Sequence, residues 1–238
     1  MPNRRCCAGP LDGKPYTPDK PPPEPMGSGL FQQRYSGEFF NILKSARSQL
    51  RRSVRAKRRS LTPYQQAEAA RKLFIQLRRH PSFRFSKRLA FYIAIDGEIS
   101  PHLLIAQAHK YGKKCYLPVL RKDGQDKLLF LEYKTTSKLH KNSFRLSEPA
   151  IQRRKTAPAW TLNTIFMPLV AFDAEGSRLG MGKGYYDRSF AFLKTFNRST
   201  PKLLGLAHEC QKVEKLETAS WDVPLEKIVT DLKIYQAK

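Results

Sequence analysis

What the chain has little of narrows the reading first. Acids are scarce: 20 Asp and Glu stand against 44 Lys and Arg in 238 residues, a formal net charge of +24. No apolar run approaches the ~18 residues of a membrane-spanning helix, so no membrane association is expected. The start, MPNRRCCAGPLDGK, has charge but no apolar h-region, which excludes an ordinary secretory signal. Cysteine is sparse as well. Cys6 and Cys7 are adjacent and cannot form half of a C-x-x-C zinc site, and Cys115 and Cys210 stand alone. Reduced thiols and a cytoplasmic location are expected. The five histidines show no metal-ligand spacing, so surface or internally satisfied roles are expected for them.

The basic excess is uneven. Residues 41–88 carry 15 Lys and Arg against one acid, Glu68. Such a block suits nucleic acid, an anionic surface or a polyanionic small molecule, and charge alone does not choose among them. Against a dedicated RNA binder, there is no RNP-type aromatic motif, KH loop or zinc finger. Ahead of the block, residues 1–40 are rich in Pro and Gly: eight of the 17 prolines fall in the first 25 residues. Such a stretch buries too little apolar surface to offset its ordering entropy, so a disordered extension is expected over 1–40, with the folded domain over 41–238.

Within the domain, 41–59 reads as a helix. Lys44, Arg47, Arg51, Arg55 and Arg58 fall at steps of three and four and share an arc of roughly 80°. Leu43, Ala46, Leu50, Val54 and Leu61 form an apolar stripe beside it. Thr62-Pro63 reads as the cap and first residue of a second helix, 63–79. Strands are expected over 88–95, 115–119, 128–133, 164–172, 202–207 and 227–230, and helices from Ser100 to Tyr111 and from Tyr185 to Phe196. Gly112 suits a helix C′ position. Alternating strands and helices predict an α/β fold: a single open, mostly parallel sheet with helices on both faces, three-layered and Rossmann-like. Ligands of such sheets sit beyond the carboxyl ends of the strands, where both Glu98 and the segment after residue 172 fall.

That segment reads FDAEGSRLGMGKGYYDR, Phe172 to Arg188. Gly180, Gly182 and Gly184 lie between a strand and a helix, where backbone N–H groups and a helix N-terminus can approach an anion. Arg178 and Lys183 add side-chain charge. The spacing G-x-G-x-G matches neither the dinucleotide fingerprint nor the P-loop, and on spacing alone a plain turn stays open beside a phosphate cradle.

The whole string is more specific than its glycines. It resembles the signature of the 5-formyltetrahydrofolate cyclo-ligase (5,10-methenyltetrahydrofolate synthetase) family, close to F-D-x-x-G-x-R-L-G-x-G-x-G-Y-Y-D, and every fixed position is filled. FYIAIDGEI (Phe91 to Ile99), KKCYLPVL (Lys113 to Leu120) and WDVPL (Trp221 to Leu225) support the likeness, which covers roughly 44–238. The resemblance implies ATP- and Mg2+-dependent ring closure of 5-formyltetrahydrofolate to 5,10-methenyltetrahydrofolate, with ADP and phosphate released. By position it implies an ATP site of Arg47, Arg51, Arg178, Leu179, Gly180, Met181, Gly182, Lys183, Gly184, Tyr185 and Tyr186. It implies folate contacts from Ile93, Glu98 and residues 181–185, and Mg2+ ligands Asp187 and Asp222. Arg178, Lys183 and Tyr185 are the expected catalytic group. The plainer readings are a strand-end acid for Glu98, a helix N-terminal acid for Asp187 and a loop acid for Asp222. Asp173 is read either as orienting the loop or as touching ligand. A monomer acting on a folate and ATP, with no specific nucleic acid, is expected. The alternatives are another small-molecule kinase, or a basic RNA-binding protein using helix 44–59.

Overall fold

Side chains alternate along the strands between two faces of one sheet, and each face finds its own helices. The computed structural model describes residues 37–121, 126–142, 147–149, 156–196 and 199–237, with side chains from residue 45 onward. The chain divides into two units, Met1–Gln33 and Arg34–Lys238. The first unit, and most of the expected extension over 1–40, lies outside the described residues.

Three helices come first: α1 (Gly37–Arg59), α2 (Pro63–Leu77) and the one-turn α3 (Pro81–Arg84). Helix α1 thus begins four residues before the expected start. Thr62 caps α2 through a capping box with Gln65, as S/T-x-x-Q predicts. Then follow β1 (Arg88–Ala90), α4 (His102–Lys110), β2 (Lys114–Leu120), β3 (Leu128–Tyr133), β4 (Leu139–Lys141), β5 (Ser147–Pro149) and β6 (Thr156–Ala157). The second half holds β7 (Thr164–Pro168), β8 (Ala171–Phe172), β9 (Arg178–Leu179), α5 (Tyr185–Thr195), β10 (Lys202–Leu206), β11 (Lys227–Val229) and β12 (Ile234–Gln236). Gly112 ends α4 at φ 64°, the left-handed turn expected of it.

The main sheet has the order β12-β11-β10-β7-β1-β2-β3-β6. Its five central strands, β11 to β2, run parallel. Strands β12, β3 and β6 join antiparallel at the edges. Leu89, Phe91, Cys115, Leu117, Phe166, Leu204 and Val229 pack on one side with Leu73 and Leu77 of α2 and Leu104 and Ile105 of α4. Ala90, Tyr116, Ile165, Met167, Leu203 and Ile228 pack on the other with Phe190 of α5. Neighbours in sequence take opposite faces, as the period-two pleat requires. A third, smaller cluster joins Val54 of α1 to Ala171, Leu179 and Leu216.

Two expected strands are shorter than their apolar runs. The run 88–95 leaves the ladder after Ala90; Phe91 still donates to Tyr116 O, but residues beyond it turn towards Asp96 and Gly97, at φ 53° and 74°. The run 164–172 breaks at Leu169 and Val170. Gln211 Nε2 takes both of their carbonyls, at 2.6 and 2.9 Å, and Arg58 Nη1 shares that of Leu169 at 3.2 Å. Released from the sheet, 171–172 pairs instead with 178–179 as a small hairpin. Strand β12 and helix α3, too short for periodicity to show, were not expected.

Candidate active site

Strand β7 delivers the chain to the hairpin β8–β9, and a buried acid shapes the turn between its strands. Asp173 Oδ1 accepts from the amides of Glu175 and Ser177, and Oδ2 accepts from Leu216. Asp173 is 1 % exposed. Its oxygens serve backbone amides, so of its two readings the structure favours loop orientation. Leu179 points into the small cluster with Val54, and only its backbone faces the loop. Met181, Lys183 and Gly180 are exposed, and Gly182 and Gly184 take φ of 91° and 65°.

Helix α1 lays its cations against this loop. Arg51 Nε donates to Gly180 O at 2.9 Å. A side chain at Gly182 would meet the Arg51 guanidinium at 3.3 Å, a tight contact, so glycine there leaves room for the arginine against the loop. No carboxylate pairs with Arg51 among the described residues. Burial, and then the charge of Arg47, depress its pKa. Arg51 is a cation in want of an anion. Arg47 reaches Glu217 O at 3.1 Å and lies 3.6 Å from Asp222 Oδ2.

Arg178 forms the floor. Its Nη2 meets Asp187 Oδ1 at 2.5 Å, and its Nη1 donates to Val223 O. Asp187 Oδ1 also accepts the Val223 amide at 3.2 Å, which brings Asp187 beside the segment holding Asp222. Asp222 Oδ2 accepts from Ala219 N at 2.8 Å. Asp187 Oδ2 and Asp222 Oδ1 accept no hydrogen bond from the described residues. Tyr185 lies under the Arg188 guanidinium, 5.4 Å from its ring centroid, and Arg188 also holds Lys183 O at 2.6 Å.

The turn after β1 supplies the other wall. Ile93 is half-buried against the α2–α4 face. Glu98 Oε2 accepts from Ile95 N at 3.2 Å. Burial pushes the Glu98 carboxyl up to about 7, against the opposing pull of Arg58 and the Ile95 amide. Burial, and then the Glu98 charge, raise the Tyr186 phenol. The turn and the helix after the glycine loop therefore converge, as strand-end placement predicts.

The row of cations on α1 does not act as one surface. Arg55 and Arg59 both bond to Asp96, and Arg58, fully buried, bonds to it through Nη2 at 2.9 Å. Arg55 and Arg58 thus leave the expected phosphate-facing row, and fewer cations remain free for RNA. The Lys44 side chain lies outside the described ones. Sequence reasoning missed Asp96 as their partner. The one available signal was a block of 15 cations with a single acid, which requires acids from elsewhere in the chain. His80 caps α3 through Nδ1, and His208 is buried with Nε2 on Gly97 O at 3.2 Å, the satisfied roles expected, whereas His109 meets Tyr133 O through Nε2 and leaves a buried Nδ1 without a hydrogen bond among the described residues. Among the described residues no three His, Cys, Asp or Glu are grouped to hold a metal.

Residues 43–231 match the model of the 5-formyltetrahydrofolate cyclo-ligase family. The chain is 38 % identical to the 5-formyltetrahydrofolate cyclo-ligase of Escherichia coli K12 over 183 residues, covering 77 % of this chain and 99 % of that one. It is 39 % identical to the Haemophilus influenzae protein of the same name over 179 residues, 75 % of this chain and 94 % of the other. The fold is similar to the NMR structure of Aquifex aeolicus 5,10-methenyltetrahydrofolate synthetase, with a TM-score of 0.66, 30 % identity, and 80 % and 92 % of the two chains covered.

Proposed function

Because the chain belongs to the 5-formyltetrahydrofolate cyclo-ligase family and is an ATP-dependent ligase converting 5-formyltetrahydrofolate to 5,10-methenyltetrahydrofolate, we propose that it works by phosphoryl activation of the formyl oxygen. A formamide oxygen is a poor leaving group. Moving the γ-phosphoryl of ATP onto it makes a good one. N10 then attacks the formyl carbon and loses its proton, and phosphate departs with the oxygen. Such transfer needs positioning and charge neutralisation more than a covalent catalyst.

The observation that carries this assignment is Arg51: a guanidinium close against Gly182, bonded to one carbonyl and to no described carboxylate. Phosphate oxygens supply the missing anion. Arg47, Arg178 and Lys183 add charge around the same loop, and the amides of Leu179 to Tyr186 line it. Tyr185 and Met181 would meet the reacting ends of both substrates, with Ile93 and Glu98 holding the pterin; its amino–N–H edge suits a carboxylate. Asp187 and Asp222 each keep one oxygen clear of described donors, which fits Mg2+ held by one or two carboxylates together with phosphates. When bound, Mg2+ would neutralise charge on the transferring phosphoryl group. A monomeric cytoplasmic enzyme with no specific nucleic-acid partner completes the proposal.

Incubation of the purified chain with 5-formyltetrahydrofolate and Mg-ATP tests it. Methenyl product, followed by absorbance, and ADP should form one for one, and only with ATP and Mg2+ both present. ATP hydrolysis without ring closure would overturn the mechanism in favour of an ATPase or a kinase.

A further inference from the structure

Arg58 is the one charged side chain with no exposure among the described residues' buried set, and it touches none of the proposed phosphate loop. Its bonds go elsewhere. Nε donates to Asp96 O at 2.8 Å, Nη2 to Asp96 Oδ2 at 2.9 Å, and Nη1 to Leu169 O at 3.2 Å. Nη2 also lies 3.7 Å from Glu98 Oε1. One guanidinium therefore holds the turn that carries Glu98 and the bend that releases the chain towards the glycine loop. The turn is gripped by backbone contacts as well. A side chain at Gly97 would meet Arg58 O at 2.9 Å, and Gln66 Nε2 bonds both Arg58 O and Gly97 O at 3.2 Å.

We propose that Arg58, balanced by Asp96, is a positioning residue for Glu98: it fixes the turn and sets its positive charge beside the carboxyl that receives the pterin. The inference rests on the folate reading of the site. Every charged or titratable group facing Glu98 is consistent with this balance. From α1, Arg58 and Arg55 favour the ionised form; from the turn itself, Asp96 opposes it. Tyr92, whose hydroxyl donates to Ile99 O at 2.6 Å, and Tyr186 of α5 each feel the Glu98 charge. His208 sits on the far side of the turn, on Gly97 O. An opposite charge at about 4 Å holds a carboxyl down by roughly one unit or more. Losing Arg58 should move the acid limb of Glu98 to higher pH, and losing the Asp96 charge should move it lower.

The test measures binding of 5-formyltetrahydrofolate to the full chain by calorimetry from pH 5.5 to 8.5, beside kcat/KM for the same substrate. In wild type, affinity should fall at acid pH, and in Glu98→Gln that limb should vanish. In Arg58→Met the limb should rise by about one unit or more, with KM for the folate up at least about fivefold at pH 7 and KM for ATP within about twofold. Should Arg58→Met not fold, Asp96→Asn decides, because asparagine tolerates the left-handed φ of 53° and still accepts from Arg58. Its limb should fall by a measurable fraction of a unit. A limb that stays at the wild-type pH in Asp96→Asn, or moves the same way in both variants, overturns the inference. No folate binding by wild type at any pH would instead overturn the folate reading itself.

Discussion

The two halves of α1 carry arginines on one helical arc and use them in opposite ways. Arg47 and Arg51 rest on carbonyls of loops, with one long ion pair between them, to Asp222. Arg55 and Arg58, four and seven residues after Arg51, are locked on Asp96. Periodicity fixes which way a side chain leaves the helix. What it then meets depends on a turn about 40 residues later, and a carboxylate there converts a binding cation into a structural one. Of the four, Arg51 alone has no carboxylate partner among the described residues, and it is the one proposed to meet phosphate.

The largest way to break that contrast is Arg58→Met, which removes one side of a buried ion pair. Stability should fall by about 3–5 kcal/mol in urea unfolding. A loss below about 1 kcal/mol would place Arg58 with Arg47 and not apart from it. Next comes a pH effect from the same corner. The Glu98 pKa is about 7 in the folded chain against 4.5 unfolded, so the folded form holds the proton more tightly. That stability is fully present below pH 4.5 and is lost as pH rises through 7, by a few kcal/mol in all. Glu98→Gln should flatten this part of the stability–pH curve, and an unchanged slope would assign it to other groups.

On the other half, Arg51→Ala should leave stability nearly intact and weaken ATP. Loss of a charge-assisted bond costs about 1.5–3 kcal/mol, roughly 10- to 100-fold in KM for ATP. An equal rise for the folate would mean damaged packing. Asp222→Asn should raise the Mg2+ concentration needed for half-maximal rate, with added Mg2+ recovering part of the loss. Wild-type rates across the titration would remove Asp222 as a ligand and leave Asp187. The smallest effect is Arg47→Ala on stability, about 0.2–1 kcal/mol, since its pair is long and partly exposed.

Much of this was legible in the chain itself. Apolar runs marked the parallel strands, Thr62 and Pro63 marked the start of α2, and the signature from Phe172 to Asp187 marked the loop. Their signals are local, within a few residues. The rest depends on distant partners. No periodicity shows that Arg58 is buried, because Asp96 and Leu169 lie 38 and 111 residues away. Nor does an apolar run tell where a strand ends: 88–95 and 164–172 stay apolar after leaving the ladder, while the carbonyl of Ile95 takes the Glu98 amide and those of Leu169 and Val170 take Arg58 and Gln211 instead of a strand. Leu179 shows the same limit within the signature, since a residue of the motif serves the core.

The strand order also sets when a growing chain can finish folding. Strand β1 lies between β2, which follows it within about 25 residues, and β7, which begins at Thr164. During synthesis the middle of the sheet has one open flank until β7 has been made, and apolar edges left open invite wrong pairing. Arg47 and Arg51, on α1, are made before any strand of the sheet. The carbonyl of Glu217 that Arg47 holds comes 170 residues later. The proposed site therefore lacks one of its sides until residue 217 has been made, and its ligand can stabilise only chains that extend past that point.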